Sequence, residues 1–206
     1  MKMPGTVFRQ AVQDATGITW EEWVTTLKQA VDSSWSHEHM KEHICEQFQV
    51  SDEWGEWLTV MYGQLLGRIP VGVTKDAGVQ IGVRKTIKVE QEKVWDYLTS
   101  PQGLPLWIGD VSEFRLQKGY EFKSKEGICG KLTVVLPFRK LRMKWKLPEW
   151  EKPSRLQLYL LPTDSGKTTI AIHQEMLDDV YVRELMRRFW ADKLEQIKNY
   201  LEGRNE

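Results

Sequence analysis

The 206-residue sequence predicts an α+β protein: a curved antiparallel sheet wrapped around a long C-terminal helix, preceded by a small helical bundle. Three patterns carry this reading. Leu132 to Trp145, LTVVLPFRKLRMKW, holds two runs of alternating apolar and polar residues joined at a proline. In the second run Leu141, Met143, Trp145 and Leu147 point one way, and Arg142, Lys144 and Lys146 the other. That period of two marks a strand with one buried and one wet face. Residues 180–201 instead repeat their apolar positions at helical spacing, and residues 1–70 show helical spacing alone. A wide sheet lined by side chains as bulky as tryptophan needs a helix to cover it or a ligand to fill it.

The first helix starts after Thr19, an N-cap followed by Trp20, Glu21 and Glu22, with T-x-x-E fitting a capping box. Trp20, Trp23, Val24, Leu27 and Val31 form its stripe. Ser36 caps a second helix with Met40, Ile44 and Phe48 on one side. Ser51 caps a third, with Trp54, Leu58, Met61, Tyr62 and Leu65 aligned and Gly67 as its stop. Five tryptophans fall in these first 70 residues. Such a bundle is marginal alone at this length and leans on a neighbour. Residues 71–78 mix Pro-flanked, Gly-rich and polar residues and read as a linker between a bundle, 1–70, and a second domain, 79–206.

From 79 the grammar changes to strands. Val79–Val89 is a strand, Glu90–Leu98 a short helix, and Ser100-Pro101 opens another that ends near Trp107. Strands follow at Glu113–Leu116, Tyr120–Ser124, Gly127–Leu136, Arg139–Leu147, Ser154–Leu161 and Lys167–Met176, with Asp164-Ser165-Gly166 as a turn. Short loops between consecutive strands favour an antiparallel meander. The chain closes with a helix over Val180–Leu201, whose stripe runs Val182, Leu185, Met186, Phe189, Trp190, Leu194, Ile197 and Leu201.

Composition narrows the function classes. No run of 18 apolar residues suggests a membrane span, and the start, MKMPGTVFRQ, lacks the apolar core of a signal peptide. Cys45 and Cys129 are far apart and share no motif, which points to a reducing, cytoplasmic setting. Net charge is zero but unevenly placed. Residues 1–70 hold five Lys/Arg against ten Asp/Glu, a balance of −5; residues 71–206 hold 24 against 19, a balance of +5. That asymmetry is too mild for a nucleic-acid binder. No P-loop, G-x-G-x-x-G or G-x-S-x-G is present, so no cofactor is expected.

Val94-Trp95, Leu98-Thr99-Ser100-Pro101, Trp107, Lys118-Gly119 with Phe122, Gly130 followed by Pro137, Leu141 and Trp145 stand in an order that resembles the activator of heat-shock protein 90 ATPase homologue family. That family belongs to the START-like (SRPBCC) superfamily, and the likeness covers residues 79–201. It implies a helix-grip fold with an apolar cavity between the concave sheet and the last helix. Residues 14–67 resemble a small helical domain of unknown function found in bacterial proteins. The matching residues are Thr16-Gly17, Trp20, Trp23, Ser36-His37, Ile44, Val50-Ser51, Trp54, Trp57, Thr59-Val60 and Tyr62.

The cavity implied by the resemblance would be lined by Trp107, Phe122, Leu132, Met143, Trp145, Leu158, Ile170, Ile172, Gln174, Met186, Phe189 and Trp190. They form either a pocket for a small hydrophobic or aromatic molecule, with Gln174 or an indole N–H orienting it, or a plain packed core. Three other constellations carry chemistry on paper. His39-Met40-Lys41-Glu42-His43 matches H-x-x-E-H, with both histidines on one helix face, but it lacks a third ligand. The neutral alternative is a solvated face. His173 and Glu175 share a strand face, and they point outward if Ile170, Ile172 and Gln174 point in. Cys129, in Gly127-Ile128-Cys129-Gly130, has no neighbouring base and lies in a candidate strand bulge.

Arg139, Lys140, Arg142, Lys144, Lys146 and Arg155 fall on or near the convex face. They are either an ordinary wet strand face or a dock for an acidic partner. One such partner is the chain's own acidic segment, with Glu21, Glu22, Glu42, Glu46, Asp52, Glu53 and Glu56. The leading expectation is non-catalytic binding of a small hydrophobic ligand by a cytoplasmic, bacterial protein. The alternatives are a protein-interaction module of co-chaperone or stress-adaptor type and, third, an enzyme on an aromatic or polyketide-like substrate.

Overall fold

A computed structural model describes residues 6–68, 72–74, 78–178 and 180–203. The N-terminal part holds four helices: α1 (Thr6–Thr16), α2 (Trp20–Ala30), α3 (His37–Phe48) and α4 (Asp52–Leu65). The last three begin where their caps dictate. Thr19 accepts from the Glu22 amide while the Glu22 side chain closes back on the Thr19 amide, a full capping box. Ser36 and Ser51 accept from the amides of His39 and Trp54. Gly67, at φ 72°, ends α4 in a Schellman turn, with Arg68 N–H on Gly63 O and Gly67 N–H on Gln64 O. Helix α1 was not anticipated. In the last helix of the bundle Leu65 points to solvent, and Trp57 takes its place in the core.

The C-terminal part contains β1 (Gly72–Thr74), β2 (Gly78–Ile87), α5 (Gln91–Thr99), α6 (Leu104–Trp107), β3 (Glu121–Lys123), β4 (Cys129–Leu136), β5 (Lys140–Lys146), β6 (Ser154–Pro162), β7 (Thr168–Leu177) and α7 (Val180–Leu201). The strands form one antiparallel sheet in the order β1-β2-β7-β6-β5-β4-β3. Within the stretch read as a linker, residues 72–74 pair with Gly78–Gln80 as an edge strand, while 71 and 75–77 lie outside the described residues.

Residues 113–116 are not a strand. Phe114 turns inward onto Trp107, Tyr120 and Phe122, and Tyr120 Oη donates to Glu113 O, so this backbone packs by its side chain instead of joining a ladder. The bulge falls at Leu132/Val134 in β4, not at 127–130. It places Thr133 and Val134 opposite Arg142, while Leu132 and Val135 face Met143 and Leu141.

Two apolar clusters result. One joins Trp20, Trp23, Leu27, Met40, Ile44, Leu58 and Met61; the other joins the sheet's inner face to α5, α6 and α7. Val182 packs against both. Among the described residues no helix is long and apolar enough to cross a membrane.

Candidate functional site: a packed interior and a basic outer face

Register brings the anticipated lining residues together. Leu132, Met143, Leu156 and Gln174 form one inward row, and Leu141, Leu158 and Ile172 the next. From α7, Met186, Phe189 and Trp190 press down on them. Trp190 lies 5.8 Å from the Trp145 ring and 4.9 Å from Phe189, and Trp150 meets Trp145 edge-on at 5.6 Å. All of these side chains are buried.

The polar atoms in this interior are mostly used up within it. Trp190 Nε1 donates to Gln174 Oε1 at 2.7 Å, Gln174 Nε2 donates to Ser154 Oγ at 2.8 Å, and Ser154 Oγ donates to Trp145 O at 2.8 Å. Trp107 Nε1 donates to Leu98 O. Gln174 therefore serves the fold, holding α7 to β6 and β7. Trp145 Nε1 is the exception: it is buried with no acceptor among the described residues. Beside this core lies a gap of about 10 Å³ between α6, Gly109, Glu126, Ile128 and Phe189, room for about one water.

Glu126 stands at its rim. Burial pushes its carboxyl up, but bonds from Ser124 and from the backbone amides of Asp110 and Glu126 outweigh this and lower it. The bond from the Asp110 amide ties the loop after α6 to the turn after β3. No sequence pattern singles Glu126 out.

The remaining constellations resolve locally. His39 stacks on Trp35 at 4.3 Å and His43 meets the same ring edge-on at 4.8 Å, so both imidazoles pack against an indole. Among the described residues no group of three His, Cys, Asp or Glu gathers to hold a metal ion. His173 and Glu175 face outward, as the inward register of Ile172 and Gln174 requires. Cys45 and Cys129 are both free thiols. Trp20 and Trp57 are buried, so the tryptophan-rich bundle offers no exposed indole patch from them.

The acidic bundle does not sit on the basic face. It packs through α4 onto α7, where Arg188 lies 3.3 Å over the Trp57 ring and Gln64 Nε2 reaches Glu184. Burial alone would raise the Glu184 carboxyl. Its bonds from Arg187 at 2.6 and 2.8 Å and from Arg188 at 2.9 Å reverse that and hold it below its ordinary value.

Among the described residues the convex face is thus left open. Across it Glu121, Lys131, Lys144, Arg155 and Glu175 are successive register partners on β3, β4, β5, β6 and β7. The row's ends neutralise each other: Lys131 pairs with Glu121 at 2.7 Å and Arg155 with Glu175 at 2.9 Å. Lys144, at the centre, makes no ion pair among the described residues. Two concavities of about 610 and 540 Å³ flank it and share Lys144 and Pro153. Lys123, Lys131, Lys152 and Met176 also line them, and none of these was anticipated. The alternation of Lys123 with Phe122 and of Lys131 with Leu132 was the available signal for the two lysines. Met176 carried none, because its outward turn follows from a φ of 63°.

Among curated proteins none matches the sequence. The family described as Activator of Hsp90 ATPase homolog 1-like protein matches residues 88–202, more than half the chain. The chain belongs to that family.

Solved structures agree on the fold. An HSP90 activator from Plasmodium falciparum is 20% identical over 61% of this chain and 97% of its own, with a TM-score of 0.52. CalU16 from Micromonospora echinospora is 18% identical over 63% and 79%, at 0.54. DynU16, from the dynemicin biosynthetic locus, is 17% identical over 60% of this chain, at 0.54, and the match spans only 47% of DynU16. Likeness at such identity shows a shared scaffold, the helix-grip arrangement of the Activator of Hsp90 ATPase homolog 1-like family and its relatives. The activity of any one member does not follow from it.

Proposed function

We propose that this protein is a non-catalytic interaction module of the cytoplasm. Its interior is scaffold, and its binding surface is the outer face of the sheet. One observation carries the reading. Gln174, the polar group best placed to orient an interior ligand, is committed to Trp190 and Ser154. A ligand there would have to break both bonds and displace a tryptophan.

Concavity and unbalanced charge coincide instead around Lys144. The reading is non-catalytic because the fully buried carboxylate, Glu184, is held by two arginines on the bundle side of α7, away from the sheet. Two unpaired thiols suit a reducing compartment.

A second reading keeps a small apolar or aromatic ligand inside. It is favoured by the acceptorless Trp145 indole and by the gap beside Phe189. Native mass spectrometry of the protein as purified, followed by analysis of a denatured extract, separates the two. The interaction reading expects the bare protein mass and no thermal shift with a panel of lipids and aromatic compounds. A co-purified apolar mass released on denaturation would overturn it in favour of the interior ligand.

A further inference from the structure

We infer that the trough centred on Lys144 takes an extended acidic segment of a partner protein, with an apolar residue flanking the acidic run. The inference rests on the outer face being the binding face.

Three features of the trough point to this occupant. The first is repulsion relieved only in part. Lys144 stands directly opposite Lys131 on one side and Arg155 on the other, and Arg142 and Lys146 lie two residues away on the same face. Like charges placed opposite each other across a ladder are destabilising. Glu121 and Glu175 form ion pairs only with the two outer cations, and Glu121 reaches Lys144 through space without pairing with it. Arg142 is turned to Thr133 Oγ1, and Lys146 donates to Trp150 O. An incoming carboxylate at Lys144 would supply the missing countercharge.

The second is shape. The two concavities meet at Lys144 and Pro153, which line both, and their linings together span β3 to β7, across the strands. Five strands about 4.8 Å apart give a length of roughly 20 Å, which an extended chain rising about 3.3 Å per residue fills with about six residues. The third is Met176 at the β7 end. It is 49% exposed and held in the trough's lining by a left-handed backbone that favours glycine or asparagine. It offers an apolar seat beside the cations.

The lining also argues against a nucleic-acid strand. Such strands are held by aromatic platforms between phosphate contacts. The one aromatic side chain lining the trough, Phe122, is buried under the sheet. Tyr159 on the same face is engaged by Lys140 and Gln157.

Fluorescence anisotropy of the full chain with a labelled hexapeptide of five glutamates followed by leucine tests this. A decathymidylate and a free phosphate titration serve as comparisons. The peptide should bind and weaken with rising salt. Lys144→Glu should weaken it at least tenfold while raising the melting temperature, because a carboxylate between Lys131 and Arg155 relieves the row. Lys144→Gln should weaken it less, and Lys28→Glu on α2 should leave it unchanged. Met176→Gly should remove the preference for leucine over an all-glutamate peptide.

An oligonucleotide that binds more tightly than the peptide would overturn the assignment, as would phosphate competing at equal strength. So would a Lys144-sensitive dimer in sedimentation, which would make a second copy the occupant. No peptide binding with a bare native mass would sink this inference alone, whereas an interior ligand would sink the reading beneath it.

Discussion

Gln174 sits on a strand whose inward neighbours, Ile170 and Ile172, are aliphatic, and it is fully buried. A primary amide in such a place is costly unless each end finds a partner. Here the oxygen accepts from Trp190 and the nitrogen donates to Ser154, so one residue links α7, β7 and β6. Replacing it by leucine nearly conserves volume and isolates the polar contribution. The Trp190 indole N–H would lose its acceptor and the Ser154 hydroxyl one of its two bonds. Gln174→Leu is expected to lower unfolding stability by about 1–3 kcal/mol in urea titrations. Equal or higher stability would mean that the amide is not a structural tie, and would reopen the case that it waits for a ligand.

The elements were legible where periodicity was long. β5, with Leu141, Met143 and Trp145 buried between exposed or half-buried cations, and α7, with its stripe from Met186 to Ile197, follow directly from spacing. Of the short elements, α6 and β3 were legible and others were not. Residues 113–116 alternate like a strand, yet Phe114 is an anchor and no ladder partner exists among the described residues. The three residues of β1 are too few for a pattern, and in the sequence no Ser or Thr stands immediately before Thr6 as one does before α2, α3 and α4.

The candidate site was legible only as charge. Arg142, Lys144 and Arg155 could be assigned to one face, but the row that joins Lys144 and Arg155 to Lys131 and Glu121 depends on register, which a bulge in β4 resets. Gly130 shows how tightly that register is built. A Cβ there would stand 2.3 Å from the Phe122 ring and 3.1 Å from Lys144 O. Gly130→Ala should therefore destabilise the β3–β4 edge by about 1–3 kcal/mol, although alanine ordinarily suits a strand better than glycine. Adding Phe122→Ala should make the pair cost less than the sum of the two single changes. Strict additivity in thermal unfolding would show that the close approach is not what glycine provides.

At the scale of the whole molecule, the opposite charge balances of the two parts suggested that they attract each other. The structure puts the bundle on α7 and not on the basic sheet face, with Glu56 within electrostatic reach of Arg188, and the contact turns on Glu184. This carboxylate is buried, bonded to Arg187 and Arg188, and reached by Gln64 from α4. Arg188 in turn covers Trp57.

Burying an ion is unfavourable unless it is paired, and removing one partner of a buried pair costs more than the pair contributes. Glu184→Gln is expected to cost about 2 kcal/mol at pH 7, below the 3–5 typical of a fully buried pair because both arginines remain partly exposed. The sign of its pH dependence follows from the lowered carboxyl. A group whose folded value is depressed contributes stability that is fully present above the unfolded value, here 4.5, and is lost as pH falls through the folded one. The gap between wild type and Glu184→Gln should hold from pH 7 to about 5 and then close below 4.5. Urea titrations of both proteins at pH 7, 5, 4 and 3 measure it directly, with hydrogen exchange in α4 reporting whether the bundle loosens first. A gap that stays constant down to pH 3 would mean that Glu184 acts by packing, and that the charge itself does not hold the bundle to the grip helix.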